Sequence, residues 1–174
     1  MEHSARGVEM WKKHTTAFDR VRSIVEALDQ ARPAQYIADA AAVSETTAHN
    51  HLTRLAEMNV IRTVTGEDAT RYAPDPLYAR FRTLRGLIED HDHEELLELK
   101  ADLQQQIEDA KQQHEVDSPT DLRERATETE TAAETMDCIE AASDWELTRY
   151  HLSIVDDAID NYTEYAAIDG RTPA

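Results

Sequence analysis

The sequence predicts a mainly α-helical protein in which three helices and a small β-hairpin precede a long helical region. Composition supports this fold class, because only four Gly and five Pro occur in 174 residues. Such a scarcity of helix breakers favours long helices over a many-stranded sheet. Periodicity supports it too, since apolar residues recur at spacings of three and four along most of the chain, as they do in amphipathic helices.

The N-terminal residues predict an arm and then two helices. Residues 1–15 show no sustained period, so we expect a partly ordered arm. Thr16 can cap a first helix of about four turns, whose apolar positions are Phe18, Val21, Val25 and Leu28. Pro33 interrupts that pattern and suits the first turn of a second helix, which runs to about Ala41.

The next segment predicts a tight turn and a third helix. Ser44 is the expected N-cap, and the helix runs to about Met58. If Ala48 faces inward, Leu52 and Leu55 lie on the same face at i+4 and i+7. The outer face then carries Thr46, His49, Asn50, Thr53 and Arg54.

A β-hairpin is predicted after the third helix. The β-prone runs 61–65 and 70–73 flank a turn-like connector, and Pro74 and Pro76 end the pattern. Three helices followed by a hairpin is the order of a winged helix-turn-helix domain, which we assign to residues 16–76.

Residues 77–174 predict an acidic helical region that makes the protein a dimer. Pro119 begins a new helix after Ser118, and the polar residues 123–135 form either a solvated helix or a loose connection. The last helix is expected to begin at the cap Ser143. Besides its main apolar stripe, this helix carries a second one that includes Leu147. A helix with two apolar stripes is expected to pack against more than one neighbour.

Two heptad-like apolar stripes are the predicted dimerisation surface, one beginning at Leu96 and the other, on the last helix, beginning at Trp145. Such stripes are typical of coiled coils. The two stripes can also pack against each other within one chain, and we expect both arrangements. The residues assigned to dimerisation are Leu96, Leu99, Leu103, Trp145, Leu152, Val155, Ile159 and Tyr162.

Charge is distributed unevenly along the chain. The net charge is −18, and residues 91–174 hold 23 of the 36 acidic residues but only 6 of the 18 basic ones. Only four of the basic residues are Lys. This pattern is typical of proteins from salt-accumulating halophiles, in which salt screens self-repulsion. The alternative is an acidic protein from a mesophile.

The segment 43–55 (Val-Ser-Glu-Thr-Thr-Ala-His-Asn-His-Leu-Thr-Arg-Leu) resembles the helix-turn-helix of ArsR-like and MarR-like winged-helix regulators. Together with the segment 16–21 it is most similar to the ArsR-like regulators of haloarchaea. Ala42 departs from the family, which often has Gly at the turn, so either Ala adopts positive φ at a cost of about 1 kcal/mol or the turn is built differently. The resemblance covers about residues 16–76 and implies a cytoplasmic, archaeal transcriptional regulator.

Such a regulator would bind double-stranded DNA as a homodimer on a pseudo-palindromic operator. Polar side chains near the start of a helix can reach base edges in the major groove, whereas arginines on the wing suit phosphates. The candidate DNA-binding residues are Ser44, Thr46, Thr47, His49, Asn50, Thr53, Arg54, Arg62 and Arg71. The near-neutral N-terminal half argues against DNA, so the alternative is a winged-helix protein-interaction module that has lost DNA binding.

Other function classes find little support in the sequence. Cys138 is the only cysteine, which excludes an intramolecular disulfide and suits a reducing cytoplasm. We expect no metal, because His91 and His93 are two residues apart and point in different directions on a helix. No cofactor motif, catalytic motif or membrane-length apolar run is present, so we expect neither an enzyme nor a membrane protein. No residue cluster identifies an effector ligand.

Overall fold

The computed structural model describes residues 9–66 and 69–168. It confirms a mainly α-helical protein, with 74% helix and a small three-stranded antiparallel sheet. Internal contacts divide the chain between Phe81 and Arg82 into an N-terminal unit and a helical unit. This division lies five residues beyond the predicted domain boundary and inside a continuous helix.

The N-terminal unit begins with a helical segment over residues 9–14, where the sequence predicted an arm. That prediction is wrong for these six residues, and its other part, residues 1–8, lies outside the described residues. The remaining elements of this unit are α1 (Ala17–Glu26), β1 (Arg32–Pro33), α2 (Ala34–Ala41), α3 (Glu45–Glu57), β2 (Ile61–Thr65) and β3 (Thr70–Pro74).

Helix α4 (Pro76–Asp90) runs through the division between the units. The helical unit continues with α5 (His93–His114), α6 (Pro119–Ala126), α7 (Ala132–Asp160) and α8 (Tyr162–Ile168). The predicted start at Pro119 is confirmed. Residues 123–135 combine both expected alternatives, since they contain the end of α6, a short connection and the start of α7.

The predicted cap of α1 is confirmed as a reciprocal capping box. The Asp19 amide donates to Thr16 Oγ1, and the Thr16 amide donates to Asp19 Oδ2, each over 3.1 Å. The Thr16 hydroxyl also donates to Asp19 Oδ2 over 2.6 Å, and the hydrogen bonds that the carboxylate accepts from this hydroxyl and from the Thr16 amide lower the pKa of Asp19. The cap fixes the start of a helix that buries Val21 and Val25.

The turn between α2 and α3 is left-handed at Ala42, with φ 53° and ψ 50°. The alternative that Ala would impose a differently built turn is therefore wrong. The Val43 amide donates to the Ala38 carbonyl over 3.0 Å, which satisfies a carbonyl at the end of α2. This closure, together with packing of α2 on α3, holds Ala42 in a conformation that Ala alone disfavours.

The hairpin is confirmed as β2 paired antiparallel with β3. Two details differ from prediction. Pro33 lies before α2 as its N-cap, not in its first turn, and it belongs to β1, which pairs with β3 through Arg32–Tyr72 and Pro33–Arg71. The sheet order is therefore β1-β3-β2.

The core of the N-terminal unit forms where the three helices meet the sheet. Ile37, Leu52 and Leu55 have no exposed surface, and Tyr72 from β3 packs against the same cluster. Burying several aliphatic side chains of this size, each worth about 1.5–3 kcal/mol, fixes the orientation of α3.

The N-cap of helix α7 lies twelve residues before the predicted cap. Thr131 and Glu134 form a capping box, because the Glu134 amide donates to Thr131 Oγ1 over 3.2 Å and the Thr131 amide donates to Glu134 Oε2 over 3.1 Å. Ser143 lies inside the helix, where its hydroxyl donates to the Ile139 carbonyl over 2.8 Å. A serine in mid-helix can bond back to the preceding turn without ending the helix, and this explains the wrong prediction.

Half of the predicted dimerisation residues are buried within one chain, where α5 and α7 pack together. Leu96, Leu103, Trp145 and Val155 are at most 8% exposed. Their assignment to the dimer surface is therefore wrong, since side chains buried in this way offer a second copy almost no surface. The four that remain partly accessible are Leu99, Leu152, Ile159 and Tyr162.

Candidate nucleic-acid interface

Helix α3 has one buried and one exposed face. Ala48, Leu52 and Leu55 are completely buried, as the periodicity predicted. The opposite face is exposed, and Ser44 stands at its N-terminal end. The predicted outer residues Thr46, His49, Asn50, Thr53 and Arg54 are all exposed.

Three of these outer residues have polar side chains without a hydrogen-bond partner among the described residues. Thr46, Asn50 and Thr53 make no side-chain hydrogen bond to any residue within the described ranges. The three side chains lie at spacings of four and three on α3, and therefore form one stripe along the helix. An exposed Asn amide and two hydroxyls offer both donors and acceptors to a ligand.

Two other candidates serve the helix itself. Ser44 Oγ accepts from the Thr47 amide over 3.2 Å, and the two hydroxyl oxygens lie 2.8 Å apart. Ser44 is thus the N-cap that the sequence predicted. The structure gives Ser44 and Thr47 a capping role, which is sufficient to account for both residue types.

Arg54 is held in place by aromatic packing. Its guanidinium lies 5.2 Å from the centre of the Phe18 ring, a cation–π distance. Phe18 in turn meets the His51 ring edge to face at 5.6 Å. The charge of Arg54 is therefore positioned by α1 and α3 together while the side chain remains exposed.

His49 connects α3 to the sheet. Its Nδ1 lies 3.2 Å from the hydroxyl oxygen of Tyr72 on β3, and Tyr72 is only 3% exposed. Burial raises the pKa of Tyr72. This contact was not predicted, because nothing local in the sequence relates two residues that are 23 positions apart.

The hairpin arginines share a face. Arg62 and Val64 point to the same side of β2, and Arg71 lies directly opposite Val64. The register places Tyr72, and hence the contact with α3, on the other side. The structure thus brings Arg62 and Arg71 together, both exposed, but on the face opposite the one that contacts His49.

The face that Tyr72 shares carries hydroxyls that the sequence analysis missed. Thr63 is opposite Tyr72, and Thr65 is opposite Thr70, so these three exposed threonines lie on the side that meets α3. Strand alternation could have identified them once Tyr72 was recognised as the inward residue.

The described residues also bear on metal binding and on a membrane span. No three His, Cys, Asp or Glu side chains among residues 9–66 and 69–168 are close enough to hold a metal ion. Over the same ranges, every helix is too short or too polar to cross a lipid bilayer. An open depression beside α1, lined by Asp19, Arg22 and Glu26, carries charges of both signs.

A family model matches residues 15–164, and the chain therefore belongs to that family, which is described as a family of unknown function (DUF7342). The matched segment runs through both units, so the two units together form the architecture of the family. No curated protein and no solved structure matches the chain significantly.

Proposed function

We propose that this member of the DUF7342 family is a sequence-specific DNA-binding transcriptional regulator. In this proposal α2, the turn at Ala42 and α3 form a helix-turn-helix, and β2 and β3 form its wing. The exposed stripe of Thr46, Asn50 and Thr53 carries the proposal, because it presents unoccupied hydrogen-bonding groups on a helix whose other face is fixed in a core. A helix with such a face fits the major groove.

In this proposal, different residues contact the bases and the phosphates. Asn50 can form a bidentate pair with adenine, and Thr46 and Thr53 can contact base edges or the methyl group of thymine. Arg54, held against Phe18, suits a phosphate at the groove edge, and Arg62 and Arg71 suit phosphates beside the wing. Thr63, Thr65 and Thr70 add hydroxyl donors on the side of the hairpin that faces α3.

The regulator would act as a homodimer in a salt-rich archaeal cytoplasm. Two copies are needed to read two half-sites of a pseudo-palindromic operator. High salt weakens phosphate contacts strongly, so binding would rely more on hydrogen bonds and shape. This expectation agrees with an N-terminal half that is nearly neutral, with 12 basic and 13 acidic residues among residues 1–90.

A stripe on the outer face of α7 is the surface that we assign to the dimer. Met136, Ile139, Leu147 and Tyr150 are 42–56% exposed, although all four are large and apolar. They lie seven and four residues on either side of Ser143, so their spacing is symmetric about it. A stripe of this kind can pair with a second copy of itself running antiparallel about a two-fold axis.

DNA binding is tested by fluorescence anisotropy with genomic fragments and bulk DNA in about 1 M KCl. We expect preference for particular fragments, and the Asn50→Ala variant should bind them about 10- to 100-fold more weakly, the loss expected for one bidentate contact. Gln104→Ala is the matched control, because Gln104 is an exposed amide on α5 without a hydrogen bond among the described residues. Equal binding by both variants would contradict the assignment of α3.

The dimer is tested by light scattering after size exclusion. The native chain should have about twice its mass of 19.8 kDa, and Leu147→Glu should produce monomers, because a charge on the stripe must be buried without a partner. Leu97→Glu is the control, since Leu97 is similarly exposed at 45% but lies on α5. A monomeric native protein, or dissociation caused by Leu97→Glu alone, would refute the assigned surface.

The second candidate is a winged-helix protein-interaction module without DNA binding. The observation that favours it is the absence of a net basic charge in residues 1–90, which most nucleic-acid binders have. Apolar side chains on the N-terminal unit, Tyr36, Met58 and Val64, are also exposed. In the titration above, binding that is no stronger for any genomic fragment than for bulk DNA would favour this candidate.

A further inference from the structure

The helical unit contains a cavity of about 390 Å³ between α5, the start of α6 and α7. A volume of this size is at the lower end of the range for small-molecule sites. The wall residues that matter here are Ile107 and Lys111 from α5, Ser118 before α6, and Trp145, Arg149 and Leu152 from α7.

Apolar and cationic residues are paired on both long helices. On α5, Lys111 follows Ile107 by four residues, and on α7, Arg149 follows Trp145 by four residues. Residues at i and i+4 share a helix face. Each helix thus contributes one apolar side chain and one positive charge to the lining of the cavity.

Arg149 is an exception among the basic residues of the helical unit. Lys100 pairs with Asp156 at 2.7 Å, and Arg123 pairs with Glu146 at 2.7 Å. Arg149 forms no hydrogen bond or ion pair with any residue that the structure describes, although residues 91–174 contain 23 acidic side chains. An unpaired guanidinium in such acidic surroundings is available to an external anion.

Charges of both signs line the cavity. Asp156 lies in the wall, but its carboxylate is engaged by Lys100. Asp117 is the other carboxylate of the wall. Lys111 lies 3.6 Å from Glu108 on its own helix, and both side chains remain partly exposed, so their interaction is weak.

Trp145 has a buried hydrogen-bond donor that lacks an acceptor. It is 3% exposed, and its indole Nε1 is buried without an acceptor among the described residues. A buried donor without an acceptor is destabilising. Trp145 also lines the cavity, so its indole is placed to respond to a ligand bound there.

We propose that this cavity binds a small organic carboxylate with an apolar body. Arg149 and Lys111 would hold the carboxylate, and Trp145, Ile107 and Leu152 would contact the apolar body. Guanidinium groups bind carboxylates through two parallel hydrogen bonds, and apolar walls with few polar groups are typical of small-molecule sites. The proposal does not depend on DNA binding, and in a regulator such a ligand would be the effector.

Trp145 is a built-in reporter for this site. The chain has two tryptophans, so a Trp11→Phe variant leaves only the one that lines the cavity. We would titrate this variant with hexanoate and phenylacetate, and with the matched neutral amides hexanamide and phenylacetamide. The expected result is a saturable fluorescence change with the carboxylates, and binding at least about tenfold weaker for the amides.

Variants in the same background separate the site from its surroundings. Arg149→Gln should weaken carboxylate binding about tenfold or more, and Arg149→Lys should have an intermediate effect because it keeps the charge but loses the paired hydrogen bonds. Arg123→Gln is the control, since Arg123 is paired with Glu146 and does not line the cavity. No saturable change with either carboxylate, equal binding of the amides, or an equal loss in Arg123→Gln would overturn the proposal.

Discussion

Positive φ at a residue other than glycine shows how tertiary contacts override local preference. Ala42, Asn59 and Glu115 all have φ near 50°. Asn tolerates this region because its side chain bonds locally, whereas Ala has only the steric cost, about 1 kcal/mol or more. At Ala42 the packing of α3 against α2 in the core of the N-terminal unit offsets this steric cost.

Two neighbouring alanines should therefore respond to glycine with opposite signs. Ala42→Gly should raise the free energy of unfolding by about 0.5–1 kcal/mol, because it removes the left-handed strain. Ala40→Gly should lower it by up to about 1 kcal/mol, because Ala40 is exposed within α2 and Gly disfavours helix. Urea unfolding followed by circular dichroism measures both, and the same sign for the two would show that the turn is not strained.

Interactions within a few residues were predictable, and those across the fold were not. Thr16 and Ser44 were identified as caps because a cap depends on residue type and its next three neighbours. The stacking of Arg54 on Phe18 and the bond between His49 and Tyr72 depend on how α1, α3 and β3 meet. Periodicity identified the exposed face of α3 but not which of its side chains would be engaged.

At the level of elements, the hairpin and the core-facing helices followed from pattern. Only four residues separate β2 from β3 in the sequence, so their pairing is local and their propensities are sufficient to predict it. β1 has two residues and pairs with a strand about 40 positions later, so no local signal distinguishes it from a loop. The outer stripe of α7 shows a related limit, because periodicity detects an apolar face but does not identify what covers it.

The true start of α7 can be tested by removing the two candidate caps in turn. Thr131→Ala should lower the free energy of unfolding by about 1 kcal/mol, because it leaves the Glu134 amide without its acceptor. Ser143→Ala should change it by less than about 0.5 kcal/mol, because Ala suits the middle of a helix. Thermal unfolding of both variants measures the two changes. A larger loss of unfolding free energy in Ser143→Ala than in Thr131→Ala would mean that the helix begins where the sequence suggested.

For the whole molecule, the repulsion between its acidic residues is the property that depends most on the salt concentration. The helical region bears most of the excess, since residues 91–174 have 23 acidic and 6 basic residues. Only Lys100, Lys111, Arg123, Arg125 and Arg149 offset these acids within the described part of that region. Self-repulsion should therefore be concentrated in α5 to α7, and salt should relieve it there.

Raising KCl from about 0.1 to 1 M, which shortens the Debye length from about 10 Å to 3 Å, should stabilise the two units unequally. Hydrogen exchange read by mass spectrometry should slow by about tenfold or more in α5 and α7, and by less in α1 to α3. The N-terminal unit thus acts as an internal control. Equal slowing in both units would point to a general salting effect, and no slowing would exclude a stability that depends on charge screening.

The contact between His49 and Tyr72 also determines what His49 can offer to a binding partner. Burial raises the pKa of Tyr72 and so favours its protonated phenol, which can donate to Nδ1 in the His49 tautomer that carries its ring proton on Nε2. In that tautomer Nε2 is the ring nitrogen that can donate to a binding partner. In a major groove such a histidine would select acceptor atoms, such as N7 and O6 of guanine, and discriminate against the amino groups of adenine and cytosine. A strand residue thus sets the hydrogen-bonding polarity of a helix residue, and a Tyr72→Phe exchange would free His49 to adopt either tautomer.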